Sequence, residues 1–164
     1  MKIWAERSPE IAALFNPAFC GVLLYSAING FSGSKRHGMQ YELSFLILPF
    51  VLHGPTCESM PKTIATPFHT WVNGTSILRI GLAERVRAAT PLTRESIMFM
   101  MSRQCISLQG ERLFVGPKKP KLSSKKIAKV DDVRHAVQAA TTLGRLLAGA
   151  GTPATIYASV GIAP

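Results

Sequence analysis

Two groups of side chains in this sequence have the types and spacing to do chemistry. The first is the run Gly116–Lys129, GPKKPKLSSKKIAK, which holds six lysines (Lys118, Lys119, Lys121, Lys125, Lys126 and Lys129) and no carboxylate. Ammonium groups so closely spaced repel one another, and the two prolines deny the backbone a regular ladder. The composition therefore predicts a basic loop between folded parts, and a polyanion is its natural partner. Phosphate neutralisation by such a loop would be sequence-independent and steeply dependent on salt. Read as structure alone, the run is a solvated linker that aids solubility, and an acidic protein surface is a third partner for it.

The second group is His53, Cys57 and Glu58 in LHGPTCE. A thiol beside an imidazole supports covalent chemistry only where the two meet in space and a third group orients the base. Four residues of separation do not guarantee that, so packing is the expected role and a small hydrolase a minor reading. The other histidines (His37, His69, His135) fall at no metal-ligand spacing, and C-x-x-C and H-E-x-x-H are absent. No G-x-x-x-x-G-K-S/T loop is present. Apart from Asp131-Asp132, the nine carboxylates are scattered singly, so no two-metal cluster is expected. These residues point to a non-enzyme with neither cofactor nor metal.

Length and composition set the frame. At 164 residues the chain is expected to form one domain with a proper core. A formal net charge of +10 sits beside a 47% hydrophobic content, so the chain is both basic and oily. Such a chain has an unusually rich core or apolar surface that a partner covers. The longest apolar stretch, Leu43–Leu52, is about half the roughly 20 residues of a membrane span. The N-terminus MKIWAERSPE lacks the continuous apolar core of a signal peptide. Cys20, Cys57 and Cys105 are odd in number and widely spaced, which predicts reduced thiols and a cytoplasmic setting.

Helix punctuation is frequent. Ser8-Pro9-Glu10 caps IAALF, and Asn16-Pro17 opens AFCGVLLYSAINGF, whose nearly all-apolar surface predicts a central helix. Gly30, Gly33 and Gly38 around Lys35-Arg36-His37 read as an exposed loop. Tyr41–His53 is a second buried helix that Pro49 should end or kink, followed by an irregular segment from Gly54 to Pro61. Thr66-Pro67 starts a short helix with Phe68, Trp71 and Val72, ended by Asn73-Gly74. Ser76–Ala89 is amphipathic, with Ile77 and Ile80 on its apolar side. Thr90-Pro91-Leu92-Thr93 breaks it, and Thr93 caps a further helix with Ile97, Met98, Met100 and Met101 on its apolar face.

A hairpin follows, Cys105–Leu108 and Arg112–Val115 around Gln109-Gly110-Glu111. Two helices, a break and a hairpin together predict a winged helix, with Arg94, Ser102 and Arg103 on its second helix and Arg112 on the wing. Two arginines and a glutamine are thin for base readout, so protein contact is the competing use of that fold. After the lysine run, Asp131-Asp132 begin a clear helix that Gly151-Thr152-Pro153 stops, and ATIYASVGIAP is a short helix or a strand. The expected fold is mainly α: one domain with a helical part at 8–74, a winged-helix-like part at 76–115, the basic loop at 116–129, and a C-terminal helix and tail at 130–164.

The ordered set Asn16-Pro17-Ala18-Phe19-Cys20, LLYSAINGF, LSFLILPFVLHGPTCESMP, the helix around Trp71, IGLAERVRAATPLTRESIMF and LGRLLAGAGTPATIYASVGIAP resembles the middle-component family of three-component ABC-ATPase systems. The resemblance runs from about Pro9 to Pro164, without the lysine-rich loop. Single motifs in it are unspecific, and their order and spacing carry the likeness. In such bacterial systems, of which Lamassu-type antiviral defence is an example, a small helical subunit accompanies an SMC-like ATPase and an effector, often a nuclease. The resemblance implies a bridging subunit, similar in role to the winged-helix accessory proteins of chromosome-organising SMC complexes, with no catalytic motif. Its close match at Gly144-Arg145 and Gly151-Thr152-Pro153 implies partner docking or core packing. The competing reading from another class is a stand-alone winged-helix transcriptional regulator, which would dimerise on a palindromic site.

Overall fold

The computed structural model describes residues 16–34, 37–120 and 131–162. The cap expected at Ser8-Pro9-Glu10, the pair Lys35-Arg36, and Lys121, Lys125, Lys126 and Lys129 lie outside the described residues.

Helix α1 (Pro17–Ser34) is the central element. Asn16 starts it by accepting the Ala18 amide on its side-chain oxygen at 2.8 Å. Its surface is buried nearly all round, with Cys20, Leu23, Leu24, Ala27 and Ile28 fully enclosed, as its apolar sequence requires. It packs chiefly on α6 (Asp131–Ala148) and next on α5 (Leu82–Ser102). The crossing with α6 is close and antiparallel. A Cβ on Gly30 would run into the Thr141 carbonyl oxygen, and one on Gly144 into that of Ala27. Gly30 and Gly33 are therefore helical, not the loop their spacing suggested; at Gly30 the missing side chain lets two backbones touch.

Strand β1 (Met39–Gln40) leads into a 3-10 turn at Tyr41–Leu43 and helix α2 (Ser44–Val51). Pro49 sits inside α2, which ends two residues later. The stretch expected to be irregular contains helix α3 (Gly54–Ser59), started by Pro55 in its first turn, where a proline lacks no needed donor. Helix α4 (Phe68–Gly74) brings Phe68 and Trp71 against Phe50 of α2, with ring centroids 5.8 Å apart for Phe50 and Trp71 and 6.0 Å for Phe68 and Trp71.

The break expected at 90–93 is absent. Residues 82–102 form one helix, α5, with Pro91 inside it, and residues 76–78 form only a 3-10 turn. Pro91 is exposed, and so is Arg87, whose carbonyl the missing amide leaves unbonded, so the loss falls on the solvent side of the helix. Thr90 and Thr93 donate their hydroxyls to the carbonyls of Val86 (2.8 Å) and Ala89 (3.0 Å), which keeps those side chains inside the helix instead of capping a new one. The expected helix–turn–helix is thus a single helix, while the hairpin forms as read, β2 (Ile106–Gln109) against β3 (Arg112–Val115).

β3 is the middle strand of a small antiparallel sheet ordered β1-β3-β2, with Met39 opposite Leu113 and Gln109 opposite Arg112. Helix α7 (Pro153–Ser159) closes the fold, and the Tyr157 hydroxyl donates to the Glu42 carbonyl at 2.7 Å. The chain is mainly α with one small sheet, as its composition and punctuation indicated.

Candidate basic interface

α5 ends in a hydrogen-bonded corner that sets the position of the cations after it. The Gln104 amide bonds the Met101 carbonyl and the Cys105 amide the Met100 carbonyl, both at 2.9 Å. Gln104 takes φ 59, the left-handed conformation that this kind of helix stop requires. The chain returns to the same corner after the hairpin. The Gly116 amide donates to the Cys105 carbonyl at 2.7 Å and the Lys118 amide to the Gln104 carbonyl at 3.1 Å. Two distant pieces of sequence are thereby tied, and Lys118 and Lys119 stand beside Arg103.

The three cations edge a groove of about 770 Å³. Its floor is apolar, with Ala18 and Val22 from α1 and Phe99, Met100 and Cys105 from the α5 corner. The Arg103 guanidinium lies 5.2 Å over the Phe99 ring, a cation–π contact that orients it. No carboxylate lines the groove among the described residues.

The other two arginines expected at the interface stand elsewhere. Arg94 is nine positions before Arg103, which puts it about 14 Å along the helix and half a turn round. Its guanidinium lies 5.9 Å from the Phe45 ring centroid. Arg112 donates from Nη1 to the Gly38 carbonyl at 2.9 Å and ties β3 to the residue before β1. Of the nine cations read from sequence, the described structure gathers Lys118, Lys119 and Arg103 into one place.

At the thiol, His53 is engaged with Thr56, Nδ1 to Oγ1 at 2.7 Å. Cys57 faces His135 of α6 instead, Sγ to Nδ1 at 3.8 Å, a pairing that nothing in the sequence signals. Burial, with the nearby Glu58 charge second, pushes the Cys57 thiol pKa above its ordinary value. The pair therefore favours a protonated thiol, not a thiolate nucleophile.

Sequence reasoning also missed two structural cations. Arg85 donates to the carbonyls of Ile80 (2.6 Å) and Leu78 (3.0 Å) and so holds the turn that enters α5. Arg79 reaches Asn73 and the Ser159 carbonyl, joining α4 to the end of α7. Both look like solvated helix charges in the sequence, because the amphipathic helix expected at 76–89 would have turned them outward. Among the described residues, no helix is long and apolar enough to cross a membrane, and no group of three or more His, Cys, Asp or Glu is placed to hold a metal ion.

The family described as Middle Component 3 of the ABC-three component (ABC-3C) system matches residues 4–164. No curated protein and no solved structure matches the chain.

Proposed function

The chain belongs to the Middle Component 3 family of ABC-three component systems, and from that premise we propose that it is a non-catalytic bridging subunit of a bacterial antiviral defence complex. In this reading it works in the cytoplasm and links an SMC-like ABC ATPase to an effector subunit, of which a nuclease is one kind. The observation that carries the reading is the family match over nearly the whole chain. The burial of Cys57 and the upward push on its thiol support a subunit that does no covalent chemistry of its own.

DNA contact belongs to the same proposal. Lys118, Lys119, Lys121, Lys125, Lys126 and Lys129 neutralise phosphates without reading bases, and Arg103 stands at the base of that run. Arg94 and Arg112 are on other faces and add to the general positive field. Residues 93–102, expected as the recognition helix, are the second half of α5 and not a helix of their own.

The test is assembly. The chain is expressed alone and with the ATPase component of its system, with the tag on this chain only, and the eluate is sized with light scattering. A stoichiometric complex is expected. A homodimer that ignores the ATPase would overturn the bridging role and favour a DNA-binding regulator.

A further inference from the structure

We propose that the groove between α1, the C-terminal end of α5 and residues 116–120 is a docking site for an acidic segment with an apolar anchor, supplied by another component of the three-component system. This rests on the bridging reading above and names a surface for it.

The groove has the two parts such a segment needs. Half-buried Ala18 and Phe99 offer apolar area that a side chain can bury, laid over Val22, Met100 and Cys105, which belong to the core. The edge carries Arg103, Lys118 and Lys119, and no carboxylate lines the site among the described residues to neutralise them. An incoming segment with carboxylates flanking a Leu-, Ile- or Phe-sized anchor matches both the floor and the edge, and charge complementarity sets its orientation.

The walls are built in advance. The corner bonds from Gly116 to Cys105 and from Lys118 to Gln104 fix the lysine-bearing wall on the end of α5. Little ordering is then left for binding to do on this side.

A nucleic acid fits the same place less well. Its backbone would meet three cations but bury none of the apolar floor. One face of Phe99, the aromatic ring in the groove, is taken by Arg103 at 5.2 Å, which removes that face as a base-stacking platform. With Lys118 and Lys119 engaged by the acidic segment, DNA contact in the assembled complex falls to the other four lysines of the run.

The experiment uses the full chain in its assembled complex. A photocrosslinking amino acid replaces Ala18, the complex is irradiated, and the crosslinked peptide is identified by mass spectrometry. The expected product is a segment of another component with at least two carboxylates around an apolar residue. A crosslink to DNA, to residues 1–15 of the same chain or to a second copy overturns the proposal, as does an assembled complex that gives no crosslink.

Two variants supply the affinity readout. Ala18→Trp fills the floor from a half-buried position, and the pair Lys118→Glu and Lys119→Glu reverses the edge at the surface. Each is expected to weaken binding of the purified partner component by about tenfold or more, with the thermal midpoint of the free chain checking that folding survives. Ala18→Trp is also expected to leave DNA affinity unchanged. Full assembly by both folded variants sinks the groove and leaves the bridging role standing. Failure of the unaltered chain to assemble at all removes that role, and the groove proposal with it.

Discussion

The backbone of Gly30 in α1 touches that of Thr141 in α6, so closely that a Cβ on Gly30 would meet the Thr141 carbonyl oxygen. The obstacle is backbone in a packed helix, which cannot swing aside like a side-chain tip. Gly144 meets Ala27 in the same way one turn along. Gly30→Ala and Gly144→Ala are each expected to destabilise the chain by about 1–3 kcal/mol, measured by urea unfolding. A substitution that leaves the midpoint unchanged would show that the helices do not approach so closely. Gly144 lies in the segment whose family likeness implied docking or core packing, and here its role is core packing.

That contact also marks what the sequence could and could not reveal. The all-apolar surface of residues 17–34 identified α1 as central, because such a surface leaves no face for water. The same stretch hid its glycines: a helix-contact glycine and a loop glycine look alike until the facing helix is known. Residues 97–101 show a related ambiguity. Ile97 and Met100 are buried while Met98 and Met101 are 70% and 39% exposed, although all four seemed to share one apolar face. Pro91 misled for a local reason, since its cost depends on whether the orphaned carbonyl faces core or water. The hairpin was legible from its turn residues alone. The groove was not, because Ala18 and Lys118 are brought together only by the return of the chain after β3.

Gln104 is the residue among those described that holds a positive φ without being glycine. A side chain in that conformation costs about 1–2 kcal/mol, which the two corner hydrogen bonds at 2.9 Å offset. Gln104→Gly relieves the strain and keeps both amides, so a gain of about 1 kcal/mol is expected in thermal or urea unfolding. A loss instead would mean that the Gln104 side chain makes a contact worth more than the strain.

Cys57 is 8% exposed, and burial raises its thiol pKa. A smaller thiolate fraction near neutral pH means slow alkylation. Iodoacetamide at pH 7.5 is expected to modify Cys57 far more slowly in the native chain than in the chain unfolded by urea, as read by peptide mass mapping. Rapid, selective labelling of Cys57 in the native protein would reopen the hydrolase reading.

Burial holds two further groups protonated well into alkali. The Cys20 thiol is raised from 9.0 to about 12 and the Tyr157 phenol from 10.0 to about 12, burial being the largest cause in each. The unfolded chain gives up these protons first, so ionisation favours unfolding. Stability is therefore expected to be intact below pH 9 and to fall as pH rises towards 12, by an amount on the order of 3–4 kcal/mol for Cys20. Tyr157 adds to the loss, since ionisation removes the proton it donates to Glu42. A Cys20→Ala chain should show a shallower decline than the parent in urea midpoints between pH 8 and 11. Parallel declines would mean that Cys20 ionises as readily when folded.

The lysine run makes the most quantitative claim on function. Each phosphate contact releases condensed counterions, so the logarithm of the DNA association constant falls with the logarithm of salt in proportion to the contacts made. Replacing all six of Lys118, Lys119, Lys121, Lys125, Lys126 and Lys129 with Gln removes at most six contacts. The salt slope should then flatten by up to about 5 and the affinity at low salt should drop, in titrations of a labelled duplex over a range of salt. The loss should be the same for unrelated duplex sequences, because phosphates carry no base identity. Arg112→Gln serves as the comparison, since its guanidinium is already bonded to the Gly38 carbonyl, and it should change the slope by less than any one of the lysines. Unchanged binding by the six-fold variant would move DNA contact off this loop and leave the run as a solubilising linker.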